Sequence, residues 1–437
     1  MEKFLKIFIF FIFMGEFMSA NSLPNYYTKN LENGLQIVAI PMDNNTNVVS
    51  VDVFYKVGSR NEVMGKSGIA HMLEHLNFKS TKNLKAGEFD EIVKGFGGIN
   101  NAGTSFDYTH YFIKTASKNT DKSLELFSDL MQNLTLKDEE FQPERDVVAE
   151  ERRWRTDNNP MGYLQFRMFN NAYVYHPYHW TPIGFMDDIK NWTIEDIKDF
   201  HSTYYQPKNA IVLVAGDITK EEVFSLAEKH FKDIKNTKDI PTSIHTKEPI
   251  QDGERRAIIN KESNVQMLAM TYHIPNFEHE DQVALSALGQ LLSSGKSSVL
   301  QKVLVDEKRL ANSIYAYNME LKDPGVFMFM AVANENIDAL KIEKEILDII
   351  SKIQKGEVKE KDISRLKINT KADFIYSLES SSDVASLFGT YLVRDNIKPL
   401  LEYEANLDKL KVEDIVNVAK KYLIKENSTT LILKEKN

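Results

Sequence analysis

The sequence predicts an α+β fold built twice, as two homologous domains that each pack a sheet with helices. Three observations carry this. Short β-type apolar runs alternate with segments of helical period along the whole chain. The run Thr193-Ile194-Glu195-Asp196-Ile197, with Tyr204 and Asn209, matches Lys411-Val412-Glu413-Asp414-Ile415, with Tyr422 and Asn427, at an offset of 218 residues. Asn47-Val48 and Tyr55 match Asn264-Val265 and Tyr272 at an offset of 217 residues. Two distant anchors that share nearly one offset imply a duplicated unit of roughly 200 residues.

In chain order, Lys3 and Lys6 precede an apolar run from Ile7 to Met14, and the small pair Ser19-Ala20 follows. This is the pattern of a secretory leader over residues 1–20, and the run is too short to span a bilayer. The first domain is then expected over residues 21–231. Gly34 to Ile40 and Val48 to Val57 read as strands, with a polar turn between them. A helix rich in histidine follows, opened by Ser67 as N-cap. Next come a helix near Glu88 to Lys94, glycines at 95 to 98, a strand pair from about Asn101 to Thr115, and a helix from about Asp121 to Asn133. A charged helix is expected from Glu139 to Arg155, and another from Thr193 to Tyr204 leads into a strand at Ala210 to Ala215. Residues 232–253 hold two prolines and many charges and read as a linker. Residues 254–437 repeat the order. No other segment is long and apolar enough to cross a membrane.

The stretch Gly68-Ile69-Ala70-His71-Met72-Leu73-Glu74-His75-Leu76-Asn77-Phe78 carries the chemistry. Ile69, Met72, Leu73 and Leu76 form an apolar stripe, while His71 and His75 stand one turn apart off that stripe. With Glu74 beside them they make H-x-x-E-H, the inverted form of the H-E-x-x-H zinc-peptidase motif. Two imidazoles at this spacing hold one metal ion, and the carboxylate between them is placed to take a proton from metal-bound water. The bland alternative is a solvated helix face that happens to carry these residue types.

Zinc needs another protein ligand. In the charged helix Glu144, Val147, Val148 and Glu151 share one face. Carboxylates on a stripe with valines are costly unless paired, and a metal would pair them. Glu151 fits as the ligand and Glu144 as a carboxylate orienting a ligand histidine, with Glu150 the runner-up ligand if the helix is rotated. In the second copy the offset of 217 turns His71, Glu74 and His75 into Leu288, Leu291 and Leu292, so one half alone carries the motif.

Composition narrows the classes. Net charge is −9, which argues against nucleic acid as a partner. There is no cysteine, so disulfides, thiol nucleophiles and thiolate metal sites are excluded.

H-x-x-E-H, followed 76 residues after His75 by Glu151 within Glu144-Arg145-x-Val147-Val148-x-x-Glu151, resembles the pitrilysin family in its bacterial two-domain form. That family includes insulin-degrading enzymes and mitochondrial processing peptidases. The resemblance implies two homologous domains facing each other as a clamshell. It also implies a single zinc ion per chain on His71, His75 and Glu151, Glu74 as base, and Glu144 as second acidic residue. Gly97-Gly98-Ile99-Asn100-Asn101-Ala102-Gly103-Thr104 resembles the family's peptide-binding edge strand, which makes Asn101, Ala102, Gly103 and Thr104 substrate-binding residues. An edge strand of this kind accepts an extended peptide by main-chain hydrogen bonds.

The implied activity is an exported zinc metalloendopeptidase, periplasmic or secreted, cutting peptides or unfolded segments; the alternative is a non-catalytic binding or assembly subunit. One departure stands out. Val299 and Asn312 fall where members of this length carry a substrate-contacting Arg and Tyr. This implies a heterodimer with a homologous subunit that has the Arg/Tyr pair, or a homodimer in which Tyr315 or Tyr317 substitutes.

Overall fold

The computed structural model describes residues 22–241, 243–244 and 246–435, so the expected leader at residues 1–20 lies outside it. The first sheet contains β1 (Tyr27–Asn30), β2 (Gln36–Pro41), β3 (Val48–Tyr55), β4 (Ile99–Thr104), β5 (Thr109–Ala116) and β6 (Ala210–Gly216). Its order is β1-β2-β6-β3-β5-β4. The second contains β7 (Arg255–Lys261), β8 (Met267–His273), β9 (Ala311–Met319), β10 (Val326–Ala333) and β11 (Ser428–Glu435), in the order β7-β11-β8-β10-β9. With β1 set aside the two orders correspond strand for strand, so the duplication is one of topology as well as sequence.

The sheets are antiparallel except for β2 with β6 and β7 with β11, which pair parallel. In each half the last strand returns to lie between the first two. It is antiparallel to one and therefore parallel to the other.

Alternation along the strands sorts side chains between two cores. Val49, Val51, Val53 and Tyr55 of β3 pack under the first half's own helices. Phe54 points the other way, onto Val384 and Phe388 of the helix Ser381–Leu392, which belongs to the second half of the chain. A Cβ at Gly389 would stand 2.1 Å from the Phe54 ring, so only glycine lets that helix lie so close. The exchange is reciprocal. Leu164, Met168 and Phe169 of the helix Pro160–Ala172 pack against Ala269, Met328 and Leu431 of the second sheet. The two α+β halves thus face each other, and each sheet is covered by its own helices on one face and by a helix of the other half on the opposite face.

Polar contacts reinforce the junction. The turn after β4 is held by Asp107, which accepts the Lys322 backbone N–H at 2.8 Å. Arg60 pairs with Asp323 at 2.5 Å. Residues 232–253 contain no helix or strand among the described residues, yet they are pinned. The Glu248 carboxylate accepts the backbone N–H groups of Val174, Tyr175 and His176. No helix among the described residues is long and apolar enough to cross a membrane.

Candidate metal centre

The histidine helix spans Ile69–Asn77. Ile69, Met72, Leu73 and Leu76 are buried in the first core, which leaves His71 and His75 on the side away from it with side chains 13% and 21% exposed. The expected cap at Ser67 is not what holds the helix start. Ser67 bonds through its hydroxyl to Asp188 and accepts the Phe185 N–H. The cap position is Gly68, at φ +83°, where a Cβ would meet the Ile183 carbonyl oxygen at 2.7 Å. The helix's free N–H groups are taken instead by Glu62, which accepts from Gly68 at 2.8 Å and Ala70 at 2.9 Å. The Trp180 indole adds a third bond to Glu62 at 2.7 Å.

The charged helix spans Asp138–Arg152 and continues into a π-helical turn at Arg153–Asp157. Val148 is fully buried but Val147 is 50% exposed, so the apolar stripe is narrower than the sequence implied. Glu144 and Glu151 face the histidines. His75 places Nδ1 2.8 Å from Glu144 Oε1, which fixes the ring and turns Nε2 toward Glu151 Oε2, 3.4 Å away. His71 Nε2 lies 3.7 Å from that same oxygen. Tetrahedral zinc bonds of about 2.0–2.1 Å put neighbouring ligand atoms roughly 3.4 Å apart, so the donors present fit the ion. His71, His75 and Glu151 are the one group of potential ligands found among the described residues, with all three donor atoms within 4.8 Å of one another. Glu150 points away and pairs with Arg153.

The charges around this set are strongly perturbed. Burial and the neighbouring His75 push His71 down to about 4. Burial acts against protonated His75 too, but Glu144 and Glu151 outweigh it and raise His75 to about 9. Burial also opposes ionisation of Glu144. Its bonds to His75 and to Lys79, 2.6 Å away, win and hold it below the usual range. Glu151 is held low mainly by His75, and Arg155 stands 3.1 Å from its other oxygen.

Glu74 is pushed upward by burial, against a hydrogen bond of 2.6 Å donated by the Thr104 hydroxyl. That bond divides the strand residues named from sequence. β4 lies at the sheet's end and pairs with β5 alone. Asn101 and Gly103 are exposed on one face. Ala102 packs toward the first core, and its backbone N–H is accepted by the Asn101 side chain at 2.9 Å. Thr104 turns its side chain to Glu74. No spacing rule foretells this contact, nor the role of Glu62, since each joins separate elements.

Among the described residues the second half has no counterpart to this centre. Leu288, Leu291 and Leu292 are buried in its core. Val299 packs against the same core, and Asn312 is exposed on β9 with Tyr315 and Tyr317.

Comparison with known proteins gives the family. Residues 37–178 match the insulinase family, peptidase family M16, and residues 191–370 match the peptidase M16 inactive domain. The chain is 59% identical over 430 residues to the zinc protease PqqE of Helicobacter pylori, covering 98% of this chain and 97% of that one. It is 27% identical to a probable mitochondrial-processing peptidase subunit beta of Arabidopsis thaliana, over 92% of this chain and 77% of that one. A crystal structure of a protease from Helicobacter pylori superposes with a TM-score of 0.93 at 60% identity, covering 94% of this chain and all of the other. The chain therefore belongs to the insulinase family of M16 peptidases.

Proposed function

We propose that this chain is a zinc-dependent endopeptidase, exported from the cytoplasm, that cuts peptides or unfolded protein segments. The observation that carries the reading is the convergence of His71, His75 and Glu151 with Glu74 beside them. The three ligand residues would hold the ion, which would supply a Lewis acid at the scissile carbonyl. Glu74 would accept a proton from the attacking water and return it to the leaving nitrogen. Thr104 keeps the Glu74 carboxylate oriented, and Glu144 keeps the His75 ring in place. The unpaired edge of β4 receives the peptide as an added strand, with Asn101 and Gly103 facing outward. Glu74→Gln should keep the metal, read by elemental analysis, and lose turnover of a quenched peptide; substantial residual turnover would remove Glu74 as base.

A homologous second chain is proposed to complete the site. Val299 is a hydrocarbon packed against the core, and the Asn312 amide lacks the reach of a phenol, so neither supplies what an Arg/Tyr pair would. Assay of this chain alone, then mixed with a homologue bearing the pair, tests this; equal rates would exclude the heterodimer and favour a homodimer using Tyr315 or Tyr317. A metal-loaded chain that cuts nothing in either setting would be a binding or assembly subunit instead. Export rests on the apolar run that Lys3 and Lys6 precede, and an N-terminus near Asn21 in the native host is the expected outcome.

A further inference from the structure

The second half contains a cavity of about 780 Å³ that shares no residue with the metal centre. It lies between the helix Gln282–Ser293, strand β9 and the helix Glu360–Tyr376. Aromatic rings of Phe374, Tyr391 and Tyr403 form part of its wall. Five carboxylates line it, those of Glu278, Glu280, Glu320, Asp373 and Glu402. Glu320 and Asp373 have no ion-pair partner among the described residues. Glu320 receives one hydrogen bond, from the Tyr391 hydroxyl at 3.2 Å. Burial pushes the Glu320 carboxyl upward despite that bond and the charge of Arg394. Tyr403 is pushed up to about 12, first by burial and then by the charges of Glu320 and Asp373, so both carboxylates act on one ring.

Nearby cations do not fill the space. Arg394 lies 3.3 Å from Asp107 and over the Phe277 ring, and its Nε and Nη1 make no hydrogen bond among the described residues. Lys398 pairs with Glu402 at the rim, at 3.7 Å.

Asn318 also lines the cavity and is 8% exposed. Its orientation is set by a chain of amides. Gln282 Nε2 donates to the carbonyls of Pro275 and Asn276, so Gln282 Oε1 must face Asn318. Asn318 Nδ2 donates to that oxygen at 2.9 Å and to Ser286 at 2.8 Å. This leaves Asn318 Oδ1 as a buried acceptor with no donor among the described residues. A buried acceptor and a partly buried, unpaired carboxylate each cost free energy that a donor-rich cation would offset. Aromatic faces attract the same ligand.

We infer that this cavity binds a primary ammonium or guanidinium on an alkyl arm, supplied by a lysine or arginine side chain of a peptide or by a free polyamine. Glu320 and Asp373 neutralise the charge, the rings enclose the arm, and the polar wall at Asn318 favours N–H donors over a purely hydrocarbon guest.

Calorimetric titration of the full chain tests this without reading hydrolysis, so its outcome is separate from that of the peptidase reading. The probes are Nα-acetyl-arginine amide, its citrulline counterpart of similar shape without charge, and spermidine. The arginine probe should bind at least about tenfold more tightly than the citrulline probe. Glu320→Gln should weaken it by a similar factor, and Asp373→Asn, at an exposed position where folding is not at stake, by roughly threefold. Tighter binding of spermidine than of the arginine amide would name a free polyamine as the source, and the reverse order a peptide side chain. Equal binding of arginine and citrulline probes, no binding of either cation, or folded Glu320→Gln and Asp373→Asn proteins that bind as the parent does, would overturn the inference.

Discussion

Thr104→Val is the substitution that most directly probes how the proposed base is held. The Thr104 hydroxyl donates the one side-chain hydrogen bond to Glu74 among the described residues, at 2.6 Å. Valine keeps the branched shape and suits a strand, so the backbone edge of β4 is preserved. What is lost is a hydrogen bond to a charged acceptor, worth about 1.5–3 kcal/mol. If that bond serves mainly to orient the carboxylate for proton transfer, kcat falls by roughly 10- to 150-fold, at 1.4 kcal/mol per tenfold. KM should hardly move, because the peptide is expected to meet the strand's main chain rather than this hydroxyl. Thr104→Ser should recover most of the rate, and metal content should match the parent in both variants. Steady-state kinetics on a quenched peptide with parallel elemental analysis decide the matter. A kcat within twofold of the parent would refute the positioning role. A rise in KM alone would return Thr104 to the peptide-binding strand.

Three further outcomes are expected. Glu151→Gln should lose bound metal while Glu150→Gln retains it, as read by elemental analysis; the opposite result would mean the charged helix is rotated from the phase described. Glu62→Ala removes an acceptor from three N–H groups at a position 1% exposed, and should lower unfolding stability by about 3 kcal/mol or more, seen as a fall in the thermal midpoint; an unchanged midpoint would show that water replaces the carboxylate. His75, raised to about 9 before metal binds, must give up its proton to become a ligand, so metal affinity should rise with pH by roughly tenfold per unit until about 9, with close to one proton released near neutrality in calorimetry with paired buffers; no proton release would contradict the assigned charge. The sign for folding is the opposite. The raised pKa stabilises the metal-free protein fully below the ordinary histidine value, and that contribution is lost as pH climbs through about 9.

The parts of the fold legible in sequence were those encoded by local period and by repetition. The matched anchors near Tyr55 and Tyr272, and near Ile194 and Val412, lie on strands and helices that occupy corresponding places in the two sheets. The parallel pairs were not legible, because alternation along β2 or β6 says which face is apolar and not which strand lies alongside. The exchanged helices escaped for the same reason. Leu164, Met168 and Phe169 announce an apolar face, and nothing in their spacing names the second sheet as its partner. At the site, His71 and His75 were readable because helix geometry alone puts them on one side. Glu144 and Glu151 were readable as a shared face, but the supporting premise held only for Val148, since Val147 is half exposed. Glu62 and Thr104 act across elements, and their bonds to the histidine helix follow from tertiary packing.

The two copies of the histidine helix show why a duplicated fold suits this chemistry. In the second half the corresponding helix buries Leu288, Leu291 and Leu292, side chains that each contribute about 1.5–3 kcal/mol when taken from water. In the first half those positions hold His71 and Glu74, whose burial is unfavourable, and His75, whose pairing with Glu144 and Glu151 offsets part of that cost. His71 Nδ1 is buried with no hydrogen-bond partner among the described residues, its ring is driven toward the neutral form, and Glu74 is pushed toward protonation. His71 and Glu74 oppose folding until a cation is bound, and binding then returns free energy to the folded state. The helix exchange shares the burden. Phe54 beneath the helix Ser381–Leu392 ties the strand β3 to the other half, and Asp107 ties the turn after β4 to Lys322. The half with the conventional core thereby braces the half whose polar site costs stability, which is how a neutral imidazole and a perturbed carboxyl can be held in place before the metal arrives.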